Sequence, residues 1–228
     1  MNQKPEILYR CSAYLAVYKP IGYLAQKSEH LEDASIFELP SLRTENIHVL
    51  TRIDRPVSGL VLVSRQKKFN LHFQGIQKED KVIKSYIAIV EGKPEKLSGV
   101  CNHFLVHNKK KFKSYISNES SNNFKPVRLS YELFMELDNY SVLTVQIRQG
   151  KYHQIRAQLS HIGLPVKGDV KYGARRKNKN RGIHLHAHKI EFVSEEKKQE
   201  IITADLPQDD KLWQIVADHI STIKKKNG

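Results

Sequence analysis

Residues 142–156 read Val142-Leu143-Thr144-Val145-Gln146-Ile147-Arg148-Gln149-Gly150-Lys151-Tyr152-His153-Gln154-Ile155-Arg156. Apolar and polar residues alternate from Leu143 to Arg148, the period-two signature of a half-buried strand. Gly150 closes it, and Ile155, Leu159 and Ile162 then recur at i, i+4, i+7. The spacing predicts a helix over 152–162 with Gly163 as its C′ stop. A strand that turns through glycine into a helix start gathers backbone N–H groups and cations at one place, which suits an anion. Arg156 stands one turn from His153 and can serve a phosphate or a carboxylate. His153 reads either as a general base or as a residue that packs and orients backbone.

Working outward, strands outnumber helices. Tyr14–Tyr18, Leu60–Ser64, Ser85–Val90, Leu129–Phe134 and Lys189–Val193 are short, rich in β-branched or aromatic residues, and bounded by turn formers. A helix is predicted over 66–79 from Phe69, Phe73 and Ile76. Another is predicted over about 209–224, capped by Asp209 or Asp210, with Trp213, Val216, Ile220 and Ile223 as the stripe that packs on the body. Segments 107–126 and 174–182, rich in Lys, Asn and Ser, read as long mobile loops. The pattern is α+β with a largely antiparallel sheet, and residues 1–228 read as a single domain.

The chain of 228 residues carries a net charge of +14. That charge is segregated. Residues 107–128 hold Lys109, Lys110, Lys111, Lys113, Lys125 and Arg128 against one acid, Glu119. Residues 167–181 hold Lys167, Lys171, Arg175, Arg176, Lys177, Lys179 and Arg181 against Asp169, and Lys224, Lys225 and Lys226 close the chain. Such clusters either attract a polyanion, nucleic acid above all, or serve as solvated loops that aid solubility. The apolar runs, such as Tyr14–Tyr18 and Tyr86–Val90, are far shorter than the ~20 residues a transmembrane helix needs. The polar start MNQKPE is no signal peptide, and Cys11 and Cys101 lie too far apart for a metal pair or a disulfide framework. A monomer in the reducing cytoplasm is the expected setting.

Two further constellations carry chemistry. In Thr51-Arg52-Ile53-Asp54-Arg55-Pro56-Val57-Ser58-Gly59, Asp54 sits between two arginines at a strand entrance. Positive neighbours keep a carboxylate ionised, as a nucleophile requires, although an ordinary salt-bridged loop aspartate would look the same. His184, His186 and His188 fall at i, i+2, i+4, which would put them on one face of a strand as metal ligands. No acid stands at a spacing that would complete such a set, so no metal is expected. The motifs GxxxxGK[ST], GxGxxG and GxSxG are absent, so no nucleotide or other organic cofactor is expected.

In order along the chain, YLAVYKPIG at 14–22, VLTRIDRPVSGLVLVSR at 49–65, KSYIAIVEG at 84–92, QGKYHQIRAQLSHIGLPVKGDVKYG at 149–173 and LHAHKIEF at 185–192 resemble the RluA-like family of pseudouridine synthases. The family pattern has His-Arg-Leu-Asp where this chain has Thr51-Arg52-Ile53-Asp54. It has Gly-Arg-Thr-His-Gln-Ile-Arg where this chain has Gly150-Lys151-Tyr152-His153-Gln154-Ile155-Arg156. The resemblance implies the pseudouridine synthase fold, a mixed and mainly antiparallel sheet with flanking helices and an active cleft across its middle. Thirteen residues precede the first motif, which implies a member without the accessory N-terminal RNA-binding domain.

The implied activity is isomerisation of uridine in ribosomal or transfer RNA, without cofactor, on a base flipped out of its stack. Asp54 would be the nucleophile, Tyr86 the tyrosine that stacks on the base, and Arg156 the cation that holds Asp54. Arg52 would fill the gap left by the base. RNA contacts are expected from Arg52, Arg55, Lys151, His153, Lys109, Lys110, Lys111, Arg175, Arg176 and Lys177. Two rivals remain: a non-catalytic RNA-binding protein on the same fold, and a metal-dependent hydrolase built on His184, His186 and His188.

Overall fold

Leu60-Val61-Leu62-Val63 is apolar at every position, which a strand tolerates when both of its faces are covered. In the computed structural model, which describes residues 3–27, 34–43, 47–208 and 210–226, this run lies inside a mixed sheet of 11 strands. In chain order the elements are β1 (Glu6–Arg10), β2 (Tyr14–Lys19), β3 (His48–Val49), β4 (Ser58–Ser64), α1 (Lys67–Lys78), β5 (Ile83–Glu91), β6 (Ser98–Asn108) and β7 (Lys113–Ser117). They continue with β8 (Lys125–Glu136), β9 (Tyr140–Ile147), α2 (Gln154–His161), β10 (Leu185–Val193), β11 (Gln199–Thr203) and α3 (Lys211–Lys226). The main path runs β1-β2-β4-β10-β5-β9-β8-β6-β7, with β11 beside β10 and β3 beside β4. Of these strand pairings only β4 with β10 is parallel.

Alternation decides what covers each face. Leu60 and Leu62 pack with Phe69 and Phe73 of α1, and Val61 and Val63 pack with Ile36 and Leu42 on the other side. On β5, Tyr86, Ala88 and Val90 meet Ile155 and Leu159 of α2, while Ile87 and Ile89 meet Trp213 and Val216 of α3. Burying a side chain such as Phe73, fully enclosed here, contributes roughly 2 kcal/mol. The helix stripes read from the sequence are therefore the ones that cover the sheet. Ile223 is the exception, since it stays partly exposed at the helix end.

Caps follow the expected chemistry. The Asp210 carboxylate accepts the Leu212 N–H at 2.9 Å and opens α3. Asp209 and the side chains of Lys224, Lys225 and Lys226 lie outside the described residues. Gly163 takes φ +79° just past α2, as a C′ residue should.

The reading of 107–126 as one long loop is corrected. It contains β7 and overlaps the ends of β6 and β8, which pair antiparallel with each other. Lys113–Ser117 ends the main path of the sheet. An edge strand has one partner, so polar and lysine-rich composition is tolerated and also discourages further pairing. Residues 174–182 remain irregular, pinned where Asn178 donates to the Gly182 carbonyl at 2.9 Å.

Gly59 explains how β4 and β10 can meet at the middle of the sheet. Its φ is +117°, and a Cβ there would run into the Ala187 backbone. Only a residue without a side chain permits this approach, which brings the Asp54 loop against the strand next to Tyr86.

Candidate active site

The loop between β3 and β4 carries Asp54, whose carbonyl accepts the Val57 N–H at 3.0 Å. Lys19 fixes this loop from below. It is fully buried, and its ammonium donates to the carbonyls of Pro20, Tyr23 and Arg55 at 3.0, 2.9 and 3.4 Å. Burial pushes its pKa down to about 7, against the pull of Asp54.

Arg156, in the first turn of α2, reaches this loop. Its Nη1 donates to Asp54 Oδ2 at 2.9 Å, while Nε and Nη2 donate to Asp169 Oδ2 and Oδ1 at 2.6 and 2.9 Å. Arg156 and Asp169 are both buried, so their two-point pairing fixes the guanidinium plane and aims the third donor at Asp54. Arg52 donates to the Gln26 side chain at 2.8 Å, and Arg55 Nε donates to the Gly22 carbonyl at 2.9 Å.

His153 sits at the entrance of α2 in a left-handed conformation, φ +55°. Tyr172 accepts the Ser114 N–H at 2.8 Å, and its hydroxyl also pairs with His153 Nδ1 at 3.0 Å. His153 Nε2 faces Asp54 Oδ2 at 3.7 Å. Burial, Arg156 and Lys171 push the His153 pKa down to about 3. The ring is therefore neutral at pH 7, and its approach to Asp54 is no ion pair. Tyr152 lies between His107 and His153, with ring centroids 4.1 and 3.9 Å away.

Asp54, Tyr86, Lys151, His153 and Arg156 all line one open cleft of about 470 Å³, together with Arg52 and Arg55. Tyr86 is buried, and burial with the nearby Asp54 charge pushes its phenol well above the ordinary range. It is therefore neutral at rest, able to stack and to donate. Lys84, two residues along the same strand face, also lines the cleft, and burial pushes it down to about 8.

Sequence reasoning singled out Asp54, Tyr86 and Arg156, which line one cleft, and passed over Asp169, Tyr172, Lys19 and Lys84. Asp169 registered only as a minority acid among cations. The Lys19-Pro20 and Gly168-Asp169 pairs inside the quoted motifs were the available signals.

The expected RNA contacts divide into three groups. Arg52, Arg55, Lys151 and His153 are at the cleft. Lys177 lines a groove on the far side of Arg156 and Asp169, together with Lys171, Lys179 and Arg181. Lys109, Lys110 and Lys111 are exposed on the β6–β7 turn, and Arg175 and Arg176 are exposed on the 174–182 segment.

The three histidines do not form a metal set. His184 Nε2 meets Asp210 Oδ1 at 3.0 Å and its Nδ1 meets Asn178 at 3.0 Å. His186 Nδ1 pairs with the Ser58 hydroxyl at 2.9 Å, and His188 Nδ1 with the Ala204 carbonyl at 2.8 Å. A register shift against β5 between Ala187 and Lys189 breaks the alternation that a shared face requires. Among the described residues no group of three His, Cys, Asp or Glu is placed to hold a metal. The metal-hydrolase reading is not favoured.

An aspartate held by a buried arginine thus stands in an open cleft at the middle of a mixed sheet. Residues 13–161 match the family described as RNA pseudouridylate synthase, and the chain belongs to that family of isomerases. The "Ribosomal large subunit pseudouridine synthase C" of Buchnera aphidicola subsp. Baizongia pistaciae is 29% identical over 214 residues, 88% of this chain and 66% of that protein. The "tRNA pseudouridine synthase C" of Haemophilus ducreyi is 27% identical over 230 residues, 92% of this chain and 93% of that protein. Among solved structures, "Human RNA Pseudouridylate Synthase Domain Containing 1" superposes with a TM-score of 0.76 at 21% identity, over 92% of this chain and 88% of that one. That likeness establishes the fold. Among the described residues no helix is long and apolar enough to cross a membrane.

Proposed function

We infer that this protein isomerises uridine to pseudouridine in ribosomal or transfer RNA, with Asp54 as nucleophile, Arg156 as its partner and Tyr86 as the wall against which the flipped base stacks. The observation that carries this reading is convergence. Three residues from the β3–β4 loop, β5 and α2 line one cleft, with Arg156 Nη1 at 2.9 Å from Asp54. In the reaction N1–C1′ breaks, the freed uracil turns, and C5 bonds to C1′ while the C5 proton leaves for N1 or solvent. Nothing is oxidised, so no cofactor enters the scheme. In this reading Asp54 stabilises or traps the sugar carbon as positive charge builds there. Arg156 keeps the carboxylate aimed, and Asp169 keeps Arg156 aimed.

Arg52 is suited to occupying the space that the flipped base vacates. The Buchnera and Haemophilus relatives are named for ribosomal and transfer RNA respectively, and both classes are candidate substrates. The reading includes a monomer acting in the cytoplasm. Pseudouridine mapping of total RNA from cells with and without the gene tests it. One or more sites present only with the gene are expected, and identical maps would contradict the assignment.

A further inference from the structure

At the tip of the β6–β7 hairpin, residues 109–112 read Lys-Lys-Lys-Phe. Phe112 is 64% exposed, the second most exposed large apolar side chain among the described residues after Leu97. Its φ is +47°, in the left-handed region that glycine enters freely and a bulky aromatic rarely does. Strain of this kind, held in place by surrounding contacts, is a pointer to function rather than to folding. Those contacts are explicit. Lys171 Nζ donates to the Phe112 carbonyl at 3.0 Å, and Asn108 Oδ1 accepts the Lys111 N–H at 3.0 Å.

Two residues on, Ser114 donates its N–H to Tyr172 and its hydroxyl to the Tyr152 carbonyl, at 2.8 and 2.5 Å. Tyr152 lines the catalytic cleft, and Tyr172 holds His153 beside Asp54. The hairpin is thus bolted just behind its tip to the wall of the cleft and presents a bare aromatic ring there.

We propose that Phe112 is a stacking platform for an unpaired nucleobase of the RNA substrate, with Lys109, Lys110 and Lys111 on the adjoining phosphates. The proposal rests on the reading of the chain as an RNA-modifying enzyme and adds a contact that the cleft itself does not provide. An aromatic face beside consecutive cations is the combination that single-stranded RNA favours, since every base has a π-face and every linkage a charge. A membrane surface is the weaker occupant because the tip offers a single apolar side chain.

The test uses the full-length protein with Phe112→Gly and Phe112→Trp. Its only tryptophan, Trp213, is buried, so Phe112→Trp introduces an exposed reporter. Glycine accepts the backbone conformation, so Phe112→Gly should melt at or above the parent temperature. It should bind a fluorescein-labelled uridine-loop RNA hairpin about tenfold more weakly, because one base no longer stacks. Its isomerisation rate at saturating RNA should be unchanged.

Phe112→Trp should bind like the parent, and its fluorescence should be quenched by that hairpin. Unaltered affinity of Phe112→Gly, or a tryptophan that RNA does not quench, overturns the proposal. So does a tryptophan that responds to phosphatidylserine vesicles and not to RNA. A parent protein that releases no tritium from 5-tritiated uridine in total RNA contradicts the enzyme reading instead, and the quenching measurement still decides the stacking.

Discussion

Arg156 and Asp169 form a buried two-point pair, Nε to Oδ2 at 2.6 Å and Nη2 to Oδ1 at 2.9 Å, that leaves one guanidinium nitrogen for Asp54. The aim of the candidate nucleophile is therefore set by a residue that never touches it. Asp169→Asn removes the buried one of the two carboxylates that Arg156 pairs with and should cost about 3 kcal/mol of stability. Misalignment of Arg156 should lower turnover about 100-fold with little change in RNA affinity. Denaturant midpoints and single-turnover rates check both. A rate equal to the parent's would show that Asp54 needs no such alignment.

Buried histidines make stability fall in acid. His153 and His186 are both pushed down to about 3, by burial first and then by Arg156 in one case and His188 in the other. Between that value and the unfolded value near 6.5, the unfolded chain holds protons that the native one does not. Stability is thus fully present above pH 6.5 and drains as the pH falls, each histidine contributing about 1.4 kcal/mol per unit. Urea titrations between pH 7 and pH 5 should show this slope, and His186→Gln should reduce it by about half. A midpoint constant over that range would contradict the buried neutral state.

The basic segment 174–182 should act through charge rather than shape. Replacing Arg175, Arg176 and Lys177 by alanine should weaken every RNA similarly. The slope of log affinity against log salt should flatten by about one unit for each phosphate that is no longer neutralised. Filter binding at several salt concentrations measures it, and an unchanged slope leaves these cations with a solvating role alone.

Gly59 lies where β4 comes against the backbone of β10. Gly59→Ala forces a β-carbon into the Ala187 backbone at φ +117° and should destabilise by about 3 kcal/mol or more. Thermal melting checks this. A variant as stable as the parent would mean that β4 and β10 can separate without cost.

The elements legible in the sequence are those whose faces are covered on both sides or along one full stripe. β2, β4, β5 and β9 are almost wholly buried, and their residues announce it. β1, β7 and β11 are edge or outer strands with exposed positions, so their composition resembles that of loops. β6 carries Asn102, His103 and His107 between its apolar positions and shows no clean period.

Asp54 and Arg156 were legible as motif residues, but their contact spans 102 positions. Asp169 was hidden for a different reason. One acid among the seven cations of residues 167–181 looks like incidental surface charge, and only the fold shows that it faces inward. The arginines beside Asp54 in sequence also reach the Gln26 side chain and the Gly22 carbonyl, contacts that adjacency along the loop does not reveal.

The central claim is that Asp54 performs the chemistry. Asp54→Asn keeps the size of the side chain and an acceptor for Arg156 Nη1 while removing the nucleophilic charge. The decisive measurement is release of tritium from 5-tritiated uridine in RNA, alongside the affinity of the same RNA. The account predicts parent-like binding with turnover reduced more than about 1,000-fold, the scale expected when a nucleophile is removed. Turnover within about tenfold of the parent would contradict it, because a contribution that small is within reach of positioning alone.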